Sequence, residues 1–301
     1  MTYLFNKSLN DCCFPSPWKN AHIIPIFKKN DKREIKNYRP VSLLSNIGKC
    51  MERIIHTRMY NHFCAHNLLT WRNSGFKKSD STINQLIYLV HQIHVNMEKG
   101  LDTCMVFLDA SKAFDRIWHQ GLLHKLIRSG VSQNFSHWFE SYLNNRRFRV
   151  TIDGVNSSWH DIYSGVPQGS ILGPLLFLIY ANDIIESLEC EAHLYADDTS
   201  LLQPIDPQNP GSSLRKIETD LTTMCQWAED WYMEFNPDKT LYMIFTQKGT
   251  HYPAPHMNGK ELRQVDTIDI SGLPSRLICH GMITLTVQSA EQTKGQACCG
   301  R

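Results

Sequence analysis

The sequence His193-Leu194-Tyr195-Ala196-Asp197-Asp198-Thr199 sets two adjacent carboxylates between short apolar segments, the second being Ser200-Leu201-Leu202. This pattern predicts a β-hairpin with both acids at its tip, held by strands yet open to solvent and to a cation. Asp is also favoured in ordinary turns for local hydrogen-bonding reasons, so the pair takes its meaning from the rest of the chain. A third acid, Asp109, ends the run Cys104-Met105-Val106-Phe107-Leu108, whose lack of alternation reads as a strand buried on both faces. Carboxylates from different strands that converge at one end of a sheet can hold two Mg²⁺ ions roughly 3.5–4 Å apart for in-line phosphoryl transfer. Hard oxygen ligands suit that ion.

These acids require a scaffold, and the flanking sequence supplies one. Residues 18–29 read as a strand that delivers Lys28 and Lys29 to a polar loop, and residues 37–44 as a strand returning, which makes a basic hairpin. Ser45 stands where it can cap a helix with Ile47, Met51, Ile54, Ile55 and Met59 at helical spacing. Ser81 does the same for a helix burying Ile83, Leu86, Ile87, Val90, Ile93 and Met97 and closed by Gly100. Residues 110–115 turn into a helix bearing Leu122, Leu123, Leu126 and Ile127. Asp153-Gly154 is a strong hairpin-turn dipeptide between residues 147–152 and 155–162, a second basic hairpin.

Ser164-Gly165-Val166-Pro167-Gln168-Gly169-Ser170 is a glycine-rich loop, suited either to close approach of a ligand or to a plain turn, ahead of an apolar helix over 172–184. A connector over 204–213 precedes a helix with Leu214, Ile217, Leu221, Met224, Ala228 and Trp231 in 3–4 spacing. Asn236-Pro237-Asp238-Lys239-Thr240 then turns into a strand over 241–245. Strands and helices in this order predict an α+β sheet covered by helices on one face, with Asp109 brought beside Asp197. His62, Cys64 and His66 share a helix but are too few for a structural zinc site.

With 301 residues and 42% hydrophobic content the chain can bury one large core or two smaller ones. Its ten cysteines include no Cys-x-x-Cys pair and no secretory leader opens it, so reduced thiols inside the cell, in nucleus or cytoplasm, are expected. The apolar run over 175–181 is far shorter than the roughly 20 residues of a membrane span, so no membrane anchor is expected. The net charge of +2 conceals an asymmetry. Residues 1–60 carry eleven Lys and Arg against four acids, whereas residues 181–240 carry three against thirteen. One end suits a polyanion and the other suits metal ions.

Asn37-Tyr38-Arg39-Pro40-Val41-Ser42-Leu43-Leu44, Leu108-Asp109-Ala110-Ser111-Lys112-Ala113-Phe114-Asp115, residues 165–173, Tyr195-Ala196-Asp197-Asp198 and residues 236–240 occur in one order. Together, over about residues 18–245, they resemble the reverse transcriptase domain of non-LTR (LINE-like) retrotransposons. The resemblance implies a right-hand polymerase fold with fingers and a ferredoxin-like palm sheet, copying RNA into DNA from a nicked-target primer. It implies that Asp109 and Asp197 ligate two Mg²⁺ ions, with Mn²⁺ as a substitute, and that Asp198 coordinates more weakly. Lys28 and Arg39 would grip the incoming triphosphate, and Ala110, Gln168 and Gly169 would line the nucleotide pocket. Phe114 stands where reverse transcriptases place an aromatic ring against a ribose 2′-OH. Lys239 would lie near the leaving pyrophosphate as a general acid. An RNA template, a DNA primer and dNTPs are the implied partners.

Two departures from the family pattern bear on this reading. Asn73-Ser74-Gly75-Phe76 has Asn where the family usually has Gln in a template-facing loop, and the sequence after Val265 lacks the Tyr-Leu-Gly primer-grip segment and helical thumb. The chain is accordingly expected to be a fragment without a thumb, and also without the family's upstream extension. Its reverse transcriptase domain would span 1–247, with fingers at about 1–103 and 126–163, palm at about 104–125 and 164–247, and a divergent, poorly ordered tail over 248–301. RNA-directed DNA polymerisation by two-metal nucleotidyl transfer is the function expected. The alternative is an inactive remnant that only binds nucleic acid through its basic hairpins. A metal-dependent nuclease would leave Gln168 and Lys239 without roles.

Overall fold

The fold is that of a computed structural model, which describes residues 1–28, 31–77, 80–269, 275–280 and 284–289. In chain order the elements are α1 (Thr2–Asn10), β1 (Asn20–Phe27), β2 (Tyr38–Leu43), α2 (Asn46–Ala65), α3 (Thr82–Glu98), β3 (Asp102–Asp109), α4 (Ala113–Arg116) and α5 (His119–Arg128). There follow α6 (Gln133–Leu143), β4 (Arg146–Ile152), β5 (Val155–Asn156), β6 (His160–Ile162), α7 (Leu172–Ala181), β7 (Glu191–Tyr195), β8 (Asp198–Ile205), α8 (Pro210–Asp230) and β9 (Leu241–Phe245). The last strands are β10 (His256–Met257), β11 (Lys260–Glu261), β12 (Arg263–Gln264), β13 (Thr267–Asp269), β14 (Ser275–His280) and β15 (Thr284–Ser289). Two compact units share these elements: Met1–Thr70 with Lys112–Asn182, and Trp71–Ser111 with Asp183–Arg301.

The first unit contains a sheet of order β2-β1-β4-β5, with β6 also paired to β4. Its first hairpin, β1 with β2, matches the sequence reading and sets Ile26 opposite Arg39; Lys29 at its loop lies outside the described residues. Asp153 and Gly154 both take positive φ, 49° and 81°, as a two-residue hairpin turn of matching twist demands. Ser45 caps α2 as its position requires, accepting a hydrogen bond from the Gly48 N–H. Helices α5, α6 and α7 build the core from Leu122, Leu126, Trp138, Phe139, Tyr142 and Leu176. The sequence reading had no counterpart for α1 or α6. α7 is apolar all round because it is buried all round, and it stops at Ala181, short of the expected 184. The Asn182 side chain there accepts from the Thr70 N–H and donates to the Leu68 carbonyl.

The second unit is a sheet of order β12-β9-β3-β8-β7. β3 lies antiparallel to both β8 and β9, and Met105 and Val106 on its opposite faces are both fully buried, as an unalternating run predicts. α3 lays Leu86, Leu89 and Ile93 on the face formed by Met105, Leu202, Met243 and Phe245, whereas Ile83 and Ile87, expected on the buried side, are exposed because Leu89 takes their place in the stripe. Ser81 caps it, and Gly100, at φ 73°, ends it. β8 continues through Pro204 to Ile205, so the connector to α8 is shorter than the sequence implied. Within residues 248–301, β10 and β11 form a hairpin and β12 adds in parallel to β9. β13, β14 and β15 form an antiparallel sheet of their own, and the rest of this stretch lies partly outside the described residues.

Candidate active site

Register brings the acids together. β3 and β8 pair Leu108 with Thr199 and Asp109 with Asp198, and β7 pairs Tyr195 with Asp198. The hairpin turn therefore consists of Ala196 and Asp197, and Asp198 is the first residue of a strand; both acids at the tip was the expectation, and the ladder corrects it by one residue. Residues directly opposite in an antiparallel pair project to the same side, so Asp109 and Asp198 set two carboxylates side by side at the sheet's end. Opposed like charges on paired strands are unfavourable without a compensating cation. Lys239 Nζ lies 3.1 Å from Asp109 Oδ2. Its turn is anchored to β3, since the Asn236 N–H donates to the Asp109 carbonyl at 3.0 Å and Asn236 Oδ1 accepts from the Asp238 N–H. Ala110 forms an isolated antiparallel bridge with Phe235 beside it.

Among the described residues no three His, Cys, Asp or Glu side chains stand close enough together to hold an ion unaided. Asp109 and Asp198 nevertheless fit a hard cation in donor type and pairing. Mg²⁺ keeps several waters and takes one or two carboxylates plus substrate phosphates, so a fully formed protein cage is not its usual site.

The other expected site residues belong to the first unit. Lys28 and Arg39 are both exposed on the β1–β2 hairpin. Arg39 pairs with Ile26, and the Lys28 N–H continues the ladder to the Asn37 carbonyl. Two residues apart on one strand share a face, so both cations project to the same side. The glycine-rich loop is pressed against β2: the Ser42 N–H donates to the Gln168 carbonyl at 2.8 Å. A side chain at Gly169, where φ is 114°, would come within 2.7 Å of the Ser42 carbonyl oxygen. Gln168 Nε2 donates to Asp115 Oδ1 at 3.2 Å. Phe114 is half-buried, stacked on Phe177 of α7 at 4.7 Å between ring centres. Its carbonyl accepts from the Val166 N–H at 2.8 Å.

Two positioning side chains escaped the sequence reading. Glu52 of α2, 1% exposed, accepts hydrogen bonds from the Ile171 and Leu172 N–H groups at 2.7 and 3.2 Å and so caps α7 from a distant part of the chain. Burial pushes its carboxyl above the ordinary carboxylate range, against the pull of those two donors and of Arg146. Asp115, the partner of Gln168, is solvent-exposed, unlike Glu52; crowding by the surrounding chain still raises its carboxyl, outweighing the Gln168 hydrogen bond. Glu52 left no local signal, whereas Asp115 was visible inside the Asp109 motif.

The second basic hairpin is more organised than its charge alone implied. Arg149 lies 4.7 Å and Arg147 6.0 Å from the centre of the Trp159 ring. Arg149 Nη2 also meets His22 Nε2 at 3.2 Å, and Arg147 pairs with Asp161. An aromatic face flanked by guanidinium groups suits contact with nucleic acid.

Comparison with known proteins gives one family. The family model for reverse transcriptase (RNA-dependent DNA polymerase) matches residues 26–273. The RNA-directed DNA polymerase from mobile element jockey of Drosophila melanogaster is 32% identical over 304 residues, 98% of this chain and 33% of that protein. The probable RNA-directed DNA polymerase from transposon X-element of the same fly is 33% identical over 82% of this chain and 28% of its own length. The chain thus spans about a third or less of these curated relatives. Telomerase of Candida tropicalis in apo form, 10% identical, superposes with a TM-score of 0.61 over 95% of this chain and 51% of its own. At that identity the likeness speaks for the fold alone, a right-hand polymerase. Paired acids at one sheet end, the match over residues 26–273 and the non-LTR relatives lead to one conclusion: the chain belongs to the reverse transcriptase (RNA-dependent DNA polymerase) family.

Proposed function

We propose that this chain is the nucleotidyl-transfer part of an RNA-directed DNA polymerase that extends a DNA primer on an RNA template with dNTPs. The observation that carries the reading is the pairing of Asp109 with Asp198 beside the Asp197 turn, with Lys239 against Asp109, in a chain of this family. Asp109 and Asp197 are the principal ligands for two divalent cations, Mg²⁺ with Mn²⁺ as a substitute, and Asp198 is the weaker third. Bound there, the ions supply Lewis acidity to the attacking and leaving oxygens of an in-line displacement.

The remaining roles fall to the chain's own side chains. Arg39 offers a bidentate fork and Lys28 a point charge to the triphosphate. Ala110, Gln168 and Gly169 border the nucleotide, with Gln168 held by Asp115 and the loop by Ser42. Phe114, steadied from below by Phe177, rejects the ribose 2′-OH. Lys239 delivers a proton to the leaving pyrophosphate. The fingers comprise about 1–103 and 126–163 and the palm about 104–125 and 164–247. The protein works inside the cell, in nucleus or cytoplasm; no helix among the described residues is long and apolar enough to cross a membrane. Incorporation of one dNTP onto a DNA primer annealed to RNA, with Mg²⁺ and then Mn²⁺, tests the reading. Salt-sensitive RNA binding without incorporation would instead make the chain a remnant that only binds nucleic acid.

A further inference from the structure

We propose that residues 71–75 form a strap that sets the position of the metal-binding turn, with Asn73 and Gly75 as its positioning residues. The proposal rests on the reading of Asp197 as a metal ligand. β7 is the outermost strand of its sheet, and such an edge presents unpaired N–H and C=O groups. The strap occupies that edge: the Leu194 N–H donates to the Arg72 carbonyl at 2.9 Å, and the Ser74 N–H donates to the Leu194 carbonyl at 3.0 Å. Asn73 pairs with Leu194 between them as an isolated parallel bridge.

Asn73 is 2% exposed, and its Oδ1 accepts from the Gly75 N–H at 2.9 Å. That bond turns the chain so that Gly75 lies against the tip of the hairpin. A Cβ at Gly75 would fall 2.1 Å from the Ala196 nitrogen, 2.9 Å from its Cα and 3.0 Å from the Tyr195 carbonyl carbon. Those are backbone atoms of the turn that carries Asp197, so no flexible side chain can move aside, and only glycine fits. Ala196 has φ 56°, a left-handed conformation that a non-glycine residue keeps only where its surroundings enforce it. The strap supplies that enforcement.

The near end of the strap is anchored as well. Trp71 stands edge-on to Tyr88 of α3 and His193 of β7, at 6.1 and 6.0 Å. Tyr88 donates its hydroxyl to Glu191 at 2.5 Å, and His193 Nε2 meets the same carboxylate at 3.1 Å. The hydrogen bond from His193, more than any other cause, holds Glu191 below the ordinary carboxylate range. The strap is thus tied to β7 at both ends, and a small displacement of it shifts the Asp197 carboxylate, to which metal geometry is sensitive.

The test is Mn²⁺ titration of the purified chain, read by the paramagnetic resonance of free Mn²⁺, for the wild type, Gly75→Ala, Asn73→Ala and Asp197→Asn. Ile87→Ala, at an exposed position of α3, is the control. Gly75→Ala should weaken Mn²⁺ binding about tenfold or more and Asn73→Ala by several-fold, within the range for groups that orient metal ligands. Ile87→Ala should match the wild type. Amide exchange at Leu194 should quicken in both strap variants, and kcat for incorporation should fall with the dNTP KM unchanged. Should Gly75→Ala fail to fold, Asn73→Ala adds no atoms and carries the test alone. Wild-type Mn²⁺ affinity in the strap variants, together with its loss in Asp197→Asn, overturns the strap and leaves the metal assignment standing. A wild-type chain without saturable Mn²⁺ binding, or binding that survives Asp197→Asn, overturns the metal assignment and the strap with it.

Discussion

The acid turn and the glycine-rich loop hold their functional groups by different means. Asp109 and Asp198 sit at fixed positions of a ladder that runs through eight residue pairs from Asp102 with Ile205, so their side-by-side placement follows from strand register. Gln168 and Gly169 have no ladder of their own. They are held by Ser42 of β2, by Asp115, and by the helix start that Glu52 caps. Asp109 and Asp198, fixed by register, resist single substitutions because many bonds would have to slip together, whereas Asp197, in the turn beyond the ladder, depends on the strap at Asn73 and Gly75. A loop fixed by a few side chains can be displaced by one, including a residue outside every recognised motif.

Chemistry and folding should separate most sharply at the acids. Asp109→Asn or Asp197→Asn should lower dNTP incorporation by about a thousandfold or more while stability changes by no more than about 1 kcal/mol, because each removes charge and leaves the packing alone. Single-turnover kinetics and thermal denaturation check the two halves. Both variants retaining a substantial share of activity would contradict the metal assignment.

The loop should show the converse. Glu52→Ala leaves two helix N–H donors without their buried acceptor and opens a cavity, at a cost of about 2–4 kcal/mol in denaturant unfolding. Glu52→Gln should cost less, because one acceptor oxygen remains. The pH dependence follows from the raised Glu52 carboxyl: folding favours its protonated form. That contribution is full below the unfolded value of about 4.3 and is lost as pH rises through the higher folded value. Stability of the wild type should therefore decline over that window, and the decline should be shallower in Glu52→Gln.

Phe114→Val asks whether a ring fixed by stacking acts on substrate or only on the core. A gate predicts a gain in ribonucleotide incorporation with deoxynucleotide incorporation spared. A purely packing role predicts a loss of about 1–3 kcal/mol and a parallel fall in both activities. Smallest should be the effect of Arg149→Ala on the basic hairpin. Affinity for single-stranded RNA should fall modestly, and the slope of log affinity against log salt should shrink by about one phosphate contact. An unchanged slope would remove this hairpin from the nucleic-acid surface.

What could be read from the sequence was mostly what is local. Ser45 and Ser81 cap helices through bonds only three residues long, and Asp153-Gly154 specifies its turn by backbone preference alone. The acids were legible as a motif, but their register was not. The turn takes Ala196 with Asp197 because β3 demands Asp198 opposite Asp109, a constraint imposed by another strand. α6 was overlooked although Ser132 caps it and Phe135, Trp138, Phe139 and Tyr142 recur at helical spacing. Glu52 on α7 and Asn73 on β7 could not have been found this way, since each acts on backbone far along the chain. In the sequence, Asn73 stands out only as a departure from the family pattern.

The most direct test of the central claim is addition of a single dNTP to a DNA primer annealed to an RNA template, comparing wild type with Asp197→Asn over a range of Mg²⁺ and Mn²⁺ concentrations. Metal-dependent addition by the wild type, absent from the variant at every concentration while both bind the RNA–DNA hybrid equally, is the expected result. Equal addition by the two proteins, or hybrid binding by the wild type with no addition under either metal, would contradict it.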